Sequence, residues 1–214
     1  MSSPPCAELT ILPPAAFARH DESPDEQFYS FPRKVVHIDD GAIAALGQLY
    51  AEVLPRGGRI LDVMSSWRSH LPDAVPFSEV VGLGMNAEEM ADNPQLTRFV
   101  VHDLNRDPRL PFAPQAFEGG VCAVSIQYMI QPVPVFREIR RVLRPEAPFV
   151  LSFSNRCFPT KAVAVWLGGS DEDHVELVSA YFRAAGGFTE VTAEDRSPSD
   201  GGDPLYAVWA RTIP

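Results

Sequence analysis

Five short runs of mostly apolar residues recur along the middle of the chain. They are RILDVM at 59–64, EVVGLG at 79–84, RFVVHD at 98–103, GVCAVSIQ at 120–127 and PFVLSFS at 148–154. None of them alternates regularly between apolar and polar positions, which is the pattern of a strand with one face in water. Continuous apolar runs of this length are typical of strands buried on both faces, as in parallel sheets. The pattern therefore predicts five core strands.

Segments with apolar residues at helical spacing stand before, between and after these strands. They are DDGAIAALGQLYAEVL at 39–54, AEEMADNP at 87–94, VPVFREIRRVL at 133–143 and DHVELVSAYFRAAGG at 173–187. Asp39 or Asp40 is suited to cap the first of these helices, and Gly186 and Gly187 to end the last. Because strands and helices alternate, they predict a mostly parallel sheet with helices on both faces.

Two further apolar segments, FTEVTAED at 188–195 and PLYAVWART at 204–212, are separated only by a turn-rich stretch. This arrangement predicts an antiparallel hairpin at one edge of the sheet. The whole pattern predicts an α/β fold with a Rossmann-like, seven-stranded, mostly parallel sheet, a C-terminal antiparallel hairpin and helices on both faces. We divide the chain into an irregular N-terminal leader at 1–27, a segment with one helix at 28–56 and a Rossmann-like domain at 57–214.

Charge and cysteine content narrow the range of partners. The 214 residues carry a formal net charge of −10 and no basic cluster, so we expect no nucleic-acid partner. No apolar run approaches the ~20 residues that span a bilayer, and the N-terminus lacks a signal-peptide pattern. We therefore expect a cytoplasmic protein with no membrane partner. Cys6, Cys122 and Cys157 are too scattered for a disulfide framework or a zinc site, so we expect no metal.

The first predicted strand leads into an unusual loop. Asp62 stands near the end of the strand, as in many nucleotide-binding folds, but the glycines that usually follow are replaced by MSSWR at 64–68. Glycines at this place allow the backbone to approach a cofactor closely. The replacement indicates either that polar side chains take over this contact or that bulky side chains fill the space.

Two stretches resemble the class I S-adenosylmethionine (SAM) dependent methyltransferases, in particular their type 11 branch. They are RFVVHDLNRDPRLPFAPQAFEGGVCAVSIQYM at 98–129 and FREIRRVLRPEAPFVLSFSN at 136–155. They parallel the family's acid and LPF segment, its fourth strand, and the helix and fifth strand that follow. The resemblance runs from about residue 57 to residue 214. It implies a SAM-dependent methyltransferase that acts on an unidentified small-molecule acceptor, with S-adenosylhomocysteine as product and no metal.

The resemblance also implies a set of cofactor-binding positions. Asp62 matches the acid of the first strand, and Asp103 matches the acid near the adenine amine. The acid that normally holds the ribose hydroxyls falls at Gly84, and Asn86 is a candidate to replace it. The complete set of candidates is Asp62, Ser65, Ser66, Arg68, Gly84, Met85, Asn86, Asp103, Leu104 and Ser125.

The MSSWR loop has two interpretations. In the first, Ser65 and Ser66 cap a short following helix and donate hydrogen bonds to a carboxylate, and Arg68 grips the methionine carboxylate of the cofactor. In the second, Met64 and Trp67 fill the cofactor space, and the sheet remains as a scaffold without its ligand.

Candidates for acceptor binding and catalysis follow from their place around the sheet. Ligands of open α/β sheets bind at the carboxyl ends of the strands. In the family a lid precedes the first helix, so we expect residues 28–56 to include a lid. The family's segment after the fifth strand helps to build a cap over the substrate. The substrate-binding candidates are Tyr29, Arg33, His37, Asn155 and Arg156, and the catalytic candidates are His174 and Tyr128. The alternatives are aromatic packing in the lid, loop capping at 155–156 and a surface histidine at 174.

Three functional hypotheses follow. The first is the SAM-dependent methyltransferase. The second is a non-catalytic methyltransferase-fold binding or regulatory protein that has lost SAM binding, with Trp67 packed into the former pocket. The third is another adenosine or nucleotide ligand bound through Asp103. A hydrolase built on Ser65, Ser66 and His70 is not favoured, because the chain lacks G-x-S-x-G. The sequence does not determine the acceptor atom or the oligomeric state.

Overall fold

A seven-stranded sheet forms the centre of the protein, which a computed structural model describes over residues 12–199 and 201–214. The strands run β3-β2-β1-β4-β5-β7-β6 across the sheet. β1 to β5 pair in parallel, and β7 is antiparallel to both β5 and β6. Their bounds are β1 Arg59–Val63, β2 Glu79–Gly84, β3 Arg98–Val101, β4 Gly119–Ala123, β5 Pro148–Phe153, β6 Thr192–Asp195 and β7 Tyr206–Arg211. The predicted fold class, including the antiparallel hairpin at one edge, is confirmed.

Capping residues mark the ends of the two longest helices. Their bounds are α1 Asp25–Phe28, α2 Asp40–Val53, α3 Ala87–Ala91, α4 Pro132–Val142, α5 Ala164–Leu167 and α6 Asp171–Ala185. The Asp39 carboxylate accepts from the Ala42 backbone N–H at 2.9 Å and so caps α2. Ser170 and Asp173 form a capping box at the start of α6, and Gly186 ends it with φ 68°. Among the described residues, no helix is both long and apolar enough to cross a bilayer.

Helices cover both faces of the sheet, because neighbouring residues of each buried strand point in opposite directions. On one face, Phe149 of β5 packs edge-to-face against Phe136 of α4 and Phe182 of α6. On the other face, Val150 of β5 belongs to a cluster with Leu46 and the other buried residues of α2. A fully buried aromatic or aliphatic side chain of this size contributes roughly 1.5–3 kcal/mol. The sheet is therefore a rigid platform for whatever lies at its strand ends.

Three local expectations are wrong. β3, expected to be buried on both faces, is an edge strand whose four residues are all exposed or only partly buried. No helix follows β1: residues 64–78 form an irregular connection to β2, so Ser65 and Ser66 have no helix to cap. Pro72 and Pro76 lie in this connection, and proline removes backbone donors that a helix needs. The fourth strand ends at Ala123 rather than at residue 127, because Val124 adopts a left-handed φ of 41° and a 3-10 turn follows at Ile126–Tyr128.

The N-terminal segment from residue 12 is packed more firmly than the predicted leader. Arg19 donates to both oxygens of Asp25, at 2.8 and 2.9 Å, and both side chains are about 95% buried. The Lys161 ammonium group is completely buried, lies 3.2 Å from the Asp25 carboxylate and donates to the Ser23 carbonyl at 2.7 Å. These contacts tie the segment to the connection between β5 and α5. The leader residues at 1–11 lie outside the described residues.

Removing the buried ammonium group tests whether this network holds the segment in place. We expect Lys161→Met to lower the free energy of unfolding by about 3 kcal/mol, because it leaves the Asp25 charge buried with one cation fewer. Chemical denaturation measures this change.

Lys34→Met is the matched control. Lys34 also contacts two carboxylates, those of Glu88 and Asp92, but its side chain is 38% exposed. Exposed ion pairs stabilise little, so we expect a much smaller loss. Equal losses in the two variants would show that burial of Lys161 has no special role.

Candidate functional site

A cleft lies at the carboxyl ends of β1, β2, β3 and β4. β2 and β4 flank β1 on opposite sides, so the connections from these strands diverge there and leave a crevice. All ten candidate cofactor positions line this one cleft: Asp62, Ser65, Ser66, Arg68, Gly84, Met85, Asn86, Asp103, Leu104 and Ser125. They come from four strand ends that are far apart in sequence, and parallel pairing brings them to the same edge.

The buried carboxyl group of Asp62 lies at the base of the cleft. It accepts hydrogen bonds from the hydroxyls of Ser65 and Ser69, each at 2.6 Å. Burial raises the pKa of Asp62 to about 6, although both hydroxyl hydrogen bonds act in the opposite direction. The hydroxyls of Ser65 and Ser69 are therefore engaged by the protein's own carboxyl group, and the predicted contact of Ser65 with a ligand carboxylate stays a prediction.

The loop retains the backbone conformation that glycine usually provides. Met64 has φ 59°, in the left-handed region, directly after β1. His70 at φ 56° and Val124 at φ 41° also line the cleft, and the latter is β-branched. Each non-glycine residue in this region costs on the order of 1–2 kcal/mol, and such strain concentrates at functional sites. The loop thus makes a left-handed turn without a glycine.

The approach of the loop to β2 explains why Gly84 has no side chain. Ser65 donates its backbone N–H to the Leu83 carbonyl at 2.8 Å, which carries the β1–β2 pairing one residue further. A Cβ atom at Gly84 would lie 2.0 Å from the Ser65 carbonyl oxygen. No acid can therefore stand at this strand end unless the backbone moves.

Polar side chains of α3 form the wall next to Gly84. The Asn86 amide oxygen caps α3 by accepting from the Glu89 N–H at 3.0 Å, and its nitrogen donates to the Tyr29 carbonyl at 2.8 Å. The Glu89 carboxylate lines the cleft and accepts from the Ser66 hydroxyl at 2.5 Å. Sequence reasoning missed Glu89, because it follows the strand end by five positions and resembles any acid in the first turn of a helix.

The opposite wall carries the predicted adenine acid. One oxygen of Asp103 accepts from the backbone N–H groups of Asn105 and Arg106, at 2.9 and 3.2 Å, and so fixes the turn after β3. Its other oxygen has no hydrogen-bond partner among residues 12–199 and 201–214. Ser125 turns its hydroxyl to the Ala123 carbonyl at 2.8 Å.

Arg68 and Trp67 contact each other rather than the centre of the cleft. The guanidinium group of Arg68 lies 3.7 Å from the centre of the Trp67 ring and donates to the carbonyls of Trp67 and Asp92. The Arg68 side chain is thus engaged by the protein, and its predicted grip on a carboxylate stays a prediction. The Trp67 side chain is half-buried and is not part of the cleft lining. Trp67 therefore does not fill the cofactor space.

The N-terminal segment covers the cleft with the predicted lid residues Tyr29, Arg33 and His37. Arg33 stacks on Phe28 at 4.1 Å and donates its backbone N–H to Glu89 at 2.6 Å. Burial lowers the pKa of His37, and it lowers the pKa of the neighbouring His70 to about 4. Both imidazoles are therefore neutral near pH 7 and can accept a hydrogen bond.

Tyr128 faces the lid from the turn after β4. Its hydroxyl accepts from the Phe158 backbone N–H at 2.8 Å, and burial raises the pKa of Tyr128 to about 12. The phenol is thus protonated near neutral pH and can act as a hydrogen-bond donor. Phe158 stacks on the Tyr128 ring and lines the cleft as well.

Three predicted residues lie outside the cleft lining. His174 is buried in α6, stacks on Trp166 with 3.9 Å between ring centroids, and bonds the Trp166 carbonyl at 2.8 Å. The surface alternative for His174 is also wrong, because its role is to pack α5 against α6. Asn155 is exposed, and the exposed Arg156 forms an ion pair with the mostly buried Asp203. The cap after the fifth strand thus turns these side chains away from the cleft.

The titration of Asp62 predicts a measurable pH dependence of stability. Its folded-state pKa of about 6 lies above the unfolded value of 3.8, so its protonation stabilises the folded state. This contribution is complete below the unfolded pKa and is lost as the pH rises through about 6. Relative to Asp62→Asn, we expect the wild-type protein to lose on the order of 2–3 kcal/mol of unfolding free energy between about pH 4 and pH 7.

Denaturant titrations of both proteins at several pH values measure this difference. His70 titrates in the opposite sense, because burial lowers its pKa, but its contribution is common to both proteins and cancels. A difference that does not change with pH would show that Asp62 is already ionised at low pH.

The close approach at Gly84 predicts a second effect. We expect Gly84→Ala to lower the unfolding free energy by about 2 kcal/mol or more, because a backbone carbonyl must move to admit the methyl group. Gly47→Ala in α2 is the matched control, since a Cβ there meets nothing closer than 4.0 Å. Alanine in a helix interior should stabilise the protein by about 0.5–1 kcal/mol. A harmless Gly84→Ala would show that the Ser65 carbonyl moves freely.

Comparison with known proteins places the cleft in context. Residues 69–151 match the sequence family described as "Methyltransferase domain", type 11. This match covers β2 to β5 and the helices between them, and it begins just after the altered loop. No curated protein matches the chain.

Several solved structures share the fold. The PH0226 protein from Pyrococcus horikoshii is 19% identical, with a TM-score of 0.59, and the match covers 87% of this chain and 98% of that one. The cyclase SpnF is 17% identical, with a TM-score of 0.60 and coverage of 84% and 88%. Phosphoethanolamine N-methyltransferase 2 of Haemonchus contortus, in complex with SAM, is 12% identical, with a TM-score of 0.54 and coverage of 80% and 52%.

At these identities the structures bear on the fold alone, and the sequence match covers residues 69–151. The strand order, the cleft at the strand ends and the match over 69–151 agree with one another. Residues 69–151 therefore match a methyltransferase domain of type 11, on a fold that solved methyltransferase structures share.

Proposed function

We propose that this protein is a SAM-dependent methyltransferase that acts on a small molecule. The observation that carries the proposal is the convergence of all ten candidate cofactor positions on one cleft whose space Trp67 does not occupy. The family implies SAM as the cofactor, and the residues present fit that group. The loop keeps its left-handed turn, and the adenine acid has an unpartnered oxygen within the described residues.

The two ends of the cleft suggest how the cofactor lies. Asp103 would accept a hydrogen bond from the adenine amine at the β3 end, where its backbone contacts hold the carboxylate in place. Ser65 and Arg68 line the β1 end, where they would face the methionine portion. SAM, when bound, supplies an electrophilic methyl group. The protein's contribution is then mainly to align the acceptor with that group, which can lower a barrier by several kcal/mol.

The acceptor would bind under the N-terminal lid. Tyr29, His37 and Tyr128 meet there, together with the aromatic face of Phe158. The protonated Tyr128 phenol would position the acceptor by donating a hydrogen bond, and the neutral His37 imidazole could take up its proton. Arg33 has no carboxylate in salt-bridge contact within residues 12–199 and 201–214, so it is available to an anionic group. These features favour a small, partly aromatic acceptor.

Calorimetric titration with SAM and with S-adenosylhomocysteine tests the cofactor proposal. We expect saturable binding of both, and a loss of affinity of about 10- to 100-fold in Asp103→Ala, because a charge-assisted hydrogen bond is removed. Asp107→Ala is the matched control. Its carboxylate also holds a turn, by accepting from the Arg109 N–H at 3.0 Å, but it does not line the cleft.

The other outcomes separate the remaining hypotheses. No binding of either ligand, with an unchanged melting temperature, would contradict the proposal and favour a non-catalytic binding protein. Binding of adenosine as tight as that of SAM would favour another adenosine ligand, because the methionine portion would then contribute nothing. The cyclase SpnF shares the fold, so a cofactor-binding result leaves methyl transfer to be measured separately.

A further inference from the structure

The chain lacks the acid with which the family normally holds the ribose hydroxyls, and the fold prevents its return at the same place. A side chain at position 84 would begin 2.0 Å from the Ser65 carbonyl oxygen. Any ribose contact must therefore come from another residue of the cleft.

The side chain of Asn86, the candidate replacement, already forms two hydrogen bonds within the protein. Its amide oxygen caps α3 through the Glu89 N–H, and its nitrogen holds the Tyr29 carbonyl. An amide that turned toward a ligand would give up the helix cap, which is worth about 1 kcal/mol. Asn86 thus serves to position α3 and the lid.

Glu89 has the properties that Asn86 lacks. It lies in α3, three residues after Asn86, it lines the cleft, and only 8% of it is exposed. Burial of a carboxylate is costly unless hydrogen-bond donors surround it. Each of its oxygens has one donor: Ser66 Oγ at 2.5 Å and the Arg33 backbone N–H at 2.6 Å. A carboxylate offers about four acceptor positions, so two remain for a ligand.

We propose that Glu89 is the ribose-binding acid of this protein, moved from the end of β2 into α3. Ser66 and the Arg33 backbone orient the carboxylate, which then accepts both ribose hydroxyls. Because Arg33 belongs to the lid segment, the same carboxylate joins the lid to the cofactor site. This inference rests on the proposed cofactor and goes beyond it by naming the residue that recognises the ribose.

A ribose-specific probe tests the assignment. S-adenosylhomocysteine and its analogue without the two ribose hydroxyls are titrated calorimetrically into the wild-type protein, Glu89→Gln and Glu88→Gln. We expect Glu89→Gln to bind S-adenosylhomocysteine about 10- to 100-fold more weakly, because charge-assisted hydrogen bonds are lost. It should bind the dideoxy analogue as the wild type does. Glu88→Gln is the matched control, since Glu88 is the exposed neighbour that pairs with Lys34.

The possible results are distinguishable. Suppose that the wild type binds both ligands. If Glu89→Gln then weakens the binding of both ligands equally, or of neither, the ribose assignment is overturned and the proposed function stands. No wild-type binding of either ligand would overturn both. Melting temperatures without ligand show whether Glu89→Gln is folded.

If Glu89→Gln is not folded, Ser66→Ala takes its place. Loss of the hydroxyl that orients Glu89 should weaken the binding of S-adenosylhomocysteine several-fold and leave the binding of the dideoxy analogue unchanged. An equal effect on both ligands would overturn the assignment.

Discussion

The close crossing of two backbone segments determines how the cleft is built. The carbonyl of Ser65 lies against Gly84, and this contact extends the pairing of β1 with β2 beyond the end of β1. The crossing requires a left-handed turn at Met64 and excludes a side chain from position 84. It also turns the Ser65 hydroxyl inward onto the buried Asp62 carboxyl. The left-handed turn at Met64 and the glycine at position 84 are therefore two consequences of one constraint.

Buried charges hold the remaining parts of the site together. Asp25 binds Arg19, Lys161 and the Asn105 amide, and so joins the N-terminal segment to the turn that carries Asp103. Glu89 joins the lid to α3 in the same way. The described part of the N-terminal segment contributes few large apolar side chains to the core, so these directional contacts largely set its position. Such contacts specify one geometry, because a buried charge without partners is strongly unfavourable.

The sequence by itself determined the sheet, its helices and the edge at which the site lies. Continuous apolar runs and helical spacing predict β1 to β5, α2, α4 and α6 with small errors at their ends. Parallel strands place their carboxyl ends at one edge, so Asp62, Gly84, Asp103 and Ser125 had to converge. Local periodicity encodes these features, and no knowledge of distant contacts is needed to read them.

Only the tertiary structure decided what each side chain does at that edge. Spacing could not show that Asn86 caps a helix, that Arg68 stacks on Trp67 or that His174 packs against α5. Nor could it single out Glu89, whose partner Arg33 is 56 residues away. These roles depend on contacts between segments that are remote in sequence, and on burial, which selects the partners of every charge. The sequence thus determines that the polar candidate residues lie at one edge of the sheet. Tertiary packing determines which of them bind other protein groups and which face the cleft.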